Sequence, residues 1–214
     1  MGQQPIRLYS RYRNSAGQRA RIALGLKGVD YEYVPMGDWH APEYTRLNPQ
    51  GLLPALEVDG RVFGQSTAII EWLEQTVPEP SLLPDDPLDG IAARGFAQYI
   101  ACEIHPIHNH RVRDHLMDVE GWSEEKTMVW YEHWVTSGLA MLETMLQRRP
   151  SATQFCYGDR PTLADIYLIP MLYNARVYGF DLARFPLILG IDAASAGIPA
   201  FQAARPENQP DFPG

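Results

Sequence analysis

Four prolines, Pro78, Pro80, Pro84 and Pro87, fall within ten residues and part the chain into two halves that read differently. Proline has no N–H to donate and crowds the preceding turn, so neither a helix interior nor a central strand passes through such a cluster. Before it, short apolar runs alternate or break at Gly and Asp. Beyond it, apolar residues recur at helical spacing almost to the end. The division predicts a mixed α/β unit over residues 1–84 and an all-helical unit over 85–214. At 214 residues the chain is long enough for both to have a core.

Within the first half, Ile6-Arg7-Leu8-Tyr9 reads as a strand. A polar loop runs through Asn14, after which Ala20, Ala23, Leu24 and Lys27 repeat with helical period until Gly28. Tyr31-Glu32-Tyr33-Val34 alternates as a second strand. Ala55–Val58 and Arg61–Phe63 flank Asp59-Gly60, a hairpin turn signal, and Ser66 opens a helix to Gln75. Strand-helix-strand followed by strand-strand-helix is the order of a thioredoxin-like domain. The second half predicts helices from Leu88 to about His115, Glu124 to about Arg148 and Thr162 to about Tyr178, with shorter pieces between Phe185 and Ala204. Thr162-Leu163-Ala164-Asp165 has the spacing of a capping box.

Charge and composition narrow the classes of partner. A net charge of -8, with no basic stripe, argues against nucleic acid. No apolar run reaches the length of a membrane span, and Met1-Gly2-Gln3-Gln4-Pro5 lacks the basic flank and apolar core of a leader, so a cytoplasmic protein is expected. Cys102 and Cys156 are far apart and are expected to be buried, reduced thiols. Only Lys27 and Lys126 among the 18 basic residues are lysines. Genomic base composition explains such a bias, and so do bidentate arginine clamps for carboxylates; position must decide.

The chemistry concentrates in four places. In Leu52-Leu53-Pro54-Ala55-Leu56 the proline belongs at a strand start or tight turn, possible with a cis bond, which leaves the Leu53 backbone free to pair outside its own sheet. Gln65-Ser66 opens the next helix, where Ser66 would serve as the cap and the exposed amides suit a carboxylate. Together these make a peptide-shaped site. In Arg13-Asn14-Ser15-Ala16 a hydroxyl and helix-start amides are placed to lower a thiol pKa. The fourth place, His105-Pro106-Ile107-His108-Asn109-His110-Arg111, invites a metal, but Pro106 should kink the helix and the spacing matches no zinc site, so no metal is expected.

The Leu53-Pro54 and Gln65-Ser66 stretch resembles the glutathione-binding segment of the glutathione transferases. Arg19-Ala20-Arg21-Ile22-Ala23-Leu24, Leu47-Asn48-Pro49, Gln65-Ser66 and Gln209-Pro210-Asp211 resemble the zeta class of that family, which includes maleylacetoacetate and maleylpyruvate isomerases. The resemblance implies an α/β thioredoxin-like N-terminal domain plus an all-α C-terminal domain, glutathione as cofactor, and a homodimer. It implies contact with glutathione for Ser15, Leu53, Pro54, Gln65, Ser66, His105 and Asn109, and with substrate for Arg13, Arg111 and Arg176. The family usually carries Ser-Ser-Cys where this chain has Asn14-Ser15-Ala16. Either Asn14 or Ser15 therefore stabilises the thiolate, and Ser15 is placed slightly ahead. Tyr9 and Tyr12 are rivals by position, more simply read as packing residues.

Three arginines suit a dicarboxylate. Isomerising an unsaturated keto acid needs a thiolate that adds and departs, stabilisation of enolate charge, and a grip on both carboxylates. The expected activity is thus glutathione-dependent cis-trans isomerisation of a maleylpyruvate- or maleylacetoacetate-like acid, with Ser15, Asn14, Arg13 and Arg176 as the catalytic set. The alternatives are a transferase or dehalogenase that leaves a stable thioether, and a non-catalytic glutathione-binding protein.

Overall fold

Leu8 and Leu56 are both fully buried and face each other across the two central strands of a four-stranded sheet. The computed structural model describes residues 5–214; Met1 to Gln4, read above for the absence of a leader, lie outside the described residues. The chain divides into two compact units. One is the described chain through Leu82 together with Ala196–Gly214, and the other is Leu83–Ser195.

In the first unit, strands β1 (Arg7–Ser10), β2 (Glu32–Pro35), β3 (Ala55–Val58) and β4 (Arg61–Gly64) form one sheet in the order β2-β1-β3-β4. β1 and β2 are parallel, joined through helix α1 (Ser15–Leu26); β1–β3 and β3–β4 are antiparallel. Short α2 (Pro42–Leu47) follows β2, and α3 (Ser66–Thr76) follows β4. Ile22, Leu24, Ile69 and Leu73 of α1 and α3 are buried, each stabilising the unit by roughly 1.5–3 kcal/mol.

The C-terminal segment Ala196–Gly214, expected in the helical half, packs in this unit. A Cβ on Gly25 of α1 would stand 3.1 Å from the Cβ of Ala200, so α10 (Pro199–Ala203) approaches α1 closely at two small residues. Arg21 reinforces the contact from within, donating to the Ala204 carbonyl from Nε and Nη2.

One of the two lysines has a structural role. Lys27, at the C-terminus of α1, is buried with its Nζ 2.7 Å from Glu74 of α3 and donating to the Pro78 carbonyl. Burial pushes the Glu74 carboxyl up, but Lys27, the Leu82 N–H and the Ser81 hydroxyl outweigh it and hold the group below its ordinary 4.5. A carboxyl depressed in the folded state stabilises above its unfolded pKa, and that contribution fades as pH falls through the folded value. Lys27→Met is expected to cost about 2 kcal/mol at neutral pH, because Glu74 loses its partner. The gap to the parent should narrow below about pH 4, as read by urea unfolding followed by tryptophan fluorescence.

The second unit is built from α4 (Pro87–Gln98), α5 (His105–His108), α6 (His110–Asp118), α7 (Glu124–Gln147), α8 (Leu163–Val177) and α9 (Pro186–Ser195). Its centre holds Phe96, Ile100, Leu139, Leu142, Ile166, Leu168 and Leu172. A Cβ on Gly138 of α7 would collide with the Ile104 side chain, so the glycine permits that close approach. The capping box forms at the start of α8, and the Asp165 carboxylate also accepts the N–H of Cys156 at 2.8 Å. Glu143 is buried and accepts the N–H groups of Leu187 and Ile188 in the first turn of α9.

Two expectations are corrected in this unit. The helix expected from Leu88 to about His115 is broken: a π-helical turn, Tyr99–Ile104, follows α4, and the chain turns extended at Asn109. Pro106 offers no N–H to the carbonyl four residues back, and His105 N–H reaches Ile100 instead, widening the helix. Cys156 is buried, and burial next to Asp165 pushes its thiol well up. Cys102 is exposed on the π-helical turn, its thiol 3.0 Å from Gln98 Oε1; both cysteines are free. Among the described residues, no helix is long and apolar enough to cross a membrane.

Candidate functional site

One row across the sheet places three of the four predicted segments at one end. Tyr9 of β1 is opposite Ala55 of β3, and Ala55 is opposite Gly64 of β4. From that row leave the loop after β1, the Leu53-Pro54 turn before β3 and the Gln65-Ser66 junction into α3. Sequence-distant residues thus share an edge because β3 runs antiparallel to both neighbours.

The Leu53-Pro54 bond is cis. The paired register ends at Ala55, so the N–H and C=O of Leu53 lie beyond the ladder. The residue before it is anchored: the Leu52 carbonyl accepts the Tyr44 hydroxyl at 2.6 Å and Asn48 Nδ2 at 2.8 Å. Asn48 is buried and also contacts the Tyr44 hydroxyl. Tyr44 and Asn48 lie outside the expected site residues, and the sequence signal for Asn48 is the Leu47-Asn48-Pro49 motif.

Ser66 does not cap α3 as expected. It is the first helical residue and is buried, while Gln65 occupies the cap position with φ 69° and no side-chain capping bond. That positive φ belongs to the region glycine prefers, and its cost is characteristic of sites where backbone direction matters. The consequence suits a ligand better than the expected cap, since the first-turn amides of α3 meet no side-chain acceptor of the cap residue. Gln65 Nε2 donates to Gln50 Oε1 at 2.8 Å.

In the first loop, Asn14 is the N-cap of α1, and its Oδ1 accepts the Gly17 N–H. The carboxamide orientation follows, because the oxygen faces that N–H and Nδ2 is the end left to donate elsewhere. Ser15 is the first helical residue and half-buried. The first turn of α1 contains no acidic residue, so nothing there opposes negative charge at the helix start. Gly17 is required by space: a Cβ would collide with Ser10 Oγ and stand 2.8 Å from Asn14 Oδ1. Tyr9 is turned away from thiolate chemistry, since its hydroxyl donates to Glu57 at 2.6 Å and burial, then Glu57, raise its pKa. The Tyr12 ring packs edge-on to Phe212. Arg13 is half-buried.

In the helical unit, Asn109 repeats the arrangement of Asn14. It is the N-cap of α6, and its Oδ1 accepts the Val112 N–H at 3.3 Å. His105 opens α5, half-buried, with its ring 5.8 Å from that of His108. Arg111 is exposed in the first turn of α6. Arg176, in the last turn of α8, is ion-paired to Asp192 of α9, sixteen residues further along the chain. Arg113 Nη1 donates to the Tyr178 hydroxyl at 2.9 Å, joining the α6 segment to the end of α8. Among the described residues, no group of three His, Cys, Asp or Glu side chains is placed to hold a metal ion.

Two family models match the chain. The model of the glutathione S-transferase N-terminal domain matches residues 15–76, and that of the glutathione S-transferase C-terminal domain matches residues 129–203. The chain is 44% identical to the maleylacetoacetate isomerase of Pseudomonas aeruginosa, over 97% of this chain and 99% of that protein. Among solved structures it is similar to a holo maleylpyruvate isomerase described as a bacterial zeta-class glutathione S-transferase, with TM-score 0.93 and 40% identity over 96% and 99% of the two chains. It is equally similar in fold, TM-score 0.93, to a maleylacetoacetate isomerase from Methylobacterium extorquens AM1 with bound malonate and glutathione, 37% identical over 97% and 100%.

Proposed function

The chain belongs to the zeta class of the glutathione S-transferase family, and from that premise we propose that it is a glutathione-dependent cis-trans isomerase of an unsaturated dicarboxylic keto or enol acid of the maleylpyruvate or maleylacetoacetate kind. The observation that carries the reading is the row Tyr9–Ala55–Gly64, which brings the first loop, the cis-proline turn and the α3 start to one end of the sheet. That end fits a tripeptide thiol. The unpaired Leu53 backbone suits a peptide strand, the α3 amides suit its carboxylate, and Ser15 with Asn14 Nδ2 suits its sulfur.

When bound, glutathione supplies a thiolate that adds to the conjugated alkene and later leaves, so that the bond between is single and rotates. The chain's own residues do the rest. The Ser15 hydroxyl and the Asn14 carboxamide donate toward the sulfur, and the helix start adds its dipole, all favouring the charged form. Arg13, Arg111 and Arg176 supply positive charge for the two carboxylates and the enolate. His105 and Asn109 assist in holding glutathione, Asn109 through Nδ2 because its oxygen caps α6. A cytoplasmic homodimer belongs to the same reading.

Incubation with maleylpyruvate or maleylacetoacetate is expected to give the trans isomer only when glutathione is present, with glutathione recovered unconsumed. Stoichiometric loss of glutathione to a stable thioether would make the protein a transferase instead. Glutathione binding without turnover would make it a binding protein.

A further inference from the structure

The first loop is gripped from both sides of one residue by groups that no catalytic scheme above uses. The Tyr12 N–H donates to Asp211 Oδ2 at 2.9 Å, and the Tyr12 carbonyl accepts from Arg21 Nη2 at 3.1 Å. Asp211 lies 199 residues further along the chain, in the C-terminal segment. Its other oxygen accepts the Tyr33 hydroxyl at 2.8 Å, tying the same carboxylate to the residue after the start of β2. Arg21 is buried and also donates to Ser10 Oγ at 3.1 Å, to the Arg11 carbonyl at 3.3 Å and to the Ala204 carbonyl at 3.1 Å. The Phe212 ring packs edge-on to Tyr12, centroids 5.6 Å apart. Gln209, buried, donates to the Ala203 and Arg205 carbonyls and so folds the segment that delivers Asp211.

Local bonds hold the helix side of the loop, where the Asn14 carboxamide and carbonyl accept the Gly17 and Gln18 N–H groups. Tyr12, two residues earlier, is held instead from outside the loop by Asp211 and Arg21. Asn14 and Ser15 follow Tyr12 by two and three residues, and a displacement of about 1 Å in a group that must meet a sulfur is costly to catalysis. We propose that Asp211 is a positioning residue: by holding the Tyr12 N–H, the C-terminal segment sets where the Ser15 hydroxyl and Asn14 carboxamide meet the glutathione sulfur. The inference rests on the functional reading given above. It assigns the Tyr12 contact, and not the Tyr33 contact, as the one that matters.

The test is the thiol pKa of glutathione bound to the full chain, read from thiolate ultraviolet absorbance across pH, beside kcat and the unfolding midpoint. Asp211→Ala is expected to raise that pKa and lower kcat about tenfold, with the glutathione dissociation constant within about twofold. Asp211→Asn is expected to restore most of both, because the carboxamide oxygen, turned toward Tyr12, can accept its N–H in place of the carboxylate Oδ2. Nδ2 then faces Tyr33 and donates to the hydroxyl oxygen that donated to the carboxylate. Tyr33→Phe should leave the thiol pKa in place. A lowered unfolding midpoint with unchanged thiol pKa and kcat in Asp211→Ala would overturn the proposal, as would a shift in Tyr33→Phe equal to that of Asp211→Ala. If Asp211→Ala does not fold, Phe212→Ala loosens the same loop through the Tyr12 ring and carries the same readouts. An unshifted thiol in the parent protein would overturn the functional reading together with this one, whereas the outcomes above overturn this one alone.

Discussion

Replacing Arg176 by alanine is expected to lower kcat/KM for the unsaturated dicarboxylate about a hundredfold while leaving glutathione affinity within about twofold. Arg176 is 45% exposed at its side chain and paired with Asp192, which is 21% exposed. An ion pair so open to water contributes at most about 1 kcal/mol to stability, so folding alone gives little reason to hold it. The pair engages Nη2 only. Arginine presents five N–H donors in a rigid fork, so the rest can grip a carboxylate in two-point fashion while Asp192 fixes the plane. Arg176→Lys keeps the charge without the fork and should recover only part of the loss. Asp192→Asn should keep kcat near the parent value but raise KM severalfold, because the guanidinium then reorients freely. Steady-state kinetics on the three variants, with glutathione binding measured in parallel, checks the set. Unchanged kinetics in Arg176→Ala would remove it from the substrate site.

Sequence separation decides most of what the chain shows before it is folded. Strand, helix and hairpin positions were legible because each depends on residues close in sequence: Leu8 with Tyr9, Ala23 with Leu24, Asp59-Gly60 between apolar pairs. What escaped depends on residues far apart. Nothing local shows that Ala196–Gly214 returns to α1, since Gly25 and Ala200 signal only that two small residues exist somewhere. Likewise Asp192 carries no mark that it partners Arg176, nor Asp211 that it holds Tyr12. Ser66 shows a subtler limit. Serine before an apolar run is the common sign of a cap, but Gln65 in a left-handed conformation shifts the helix start by one residue. The asparagine at position 14 was legible as a departure from the family pattern, yet its role as a cap emerges only from the Gly17 contact.

That contact allows the thiolate assignment to be decided by experiment. Ser15→Ala is expected to lower kcat/KM by about a hundredfold and to raise the pKa of the bound thiol by about one unit or more, since a donor aimed at developing or resident charge has an effect of that order. Asn14 needs a different substitution, because alanine would remove the helix cap and the sulfur donor together and confuse a loss of about 1 kcal/mol of stability with a loss of chemistry. Asn14→Asp separates them. Aspartate caps a helix as well as asparagine does, so the unfolding free energy should stay within about 0.5 kcal/mol of the parent. Its second oxygen replaces Nδ2, however, and places a negative charge where the amide donated. A like charge beside the sulfur disfavours the thiolate, so the bound thiol pKa should rise and kcat fall about tenfold or more. If Ser15→Ala retains full activity while Asn14→Asp loses it, the carboxamide is the principal donor and the departure from Ser-Ser-Cys is a functional replacement. If the reverse holds, Asn14 serves the helix, and Ser15 alone carries the sulfur. Should both variants keep a thiol pKa equal to the parent's, the activation would rest on the backbone amides at the start of α1, where no acidic side chain opposes them.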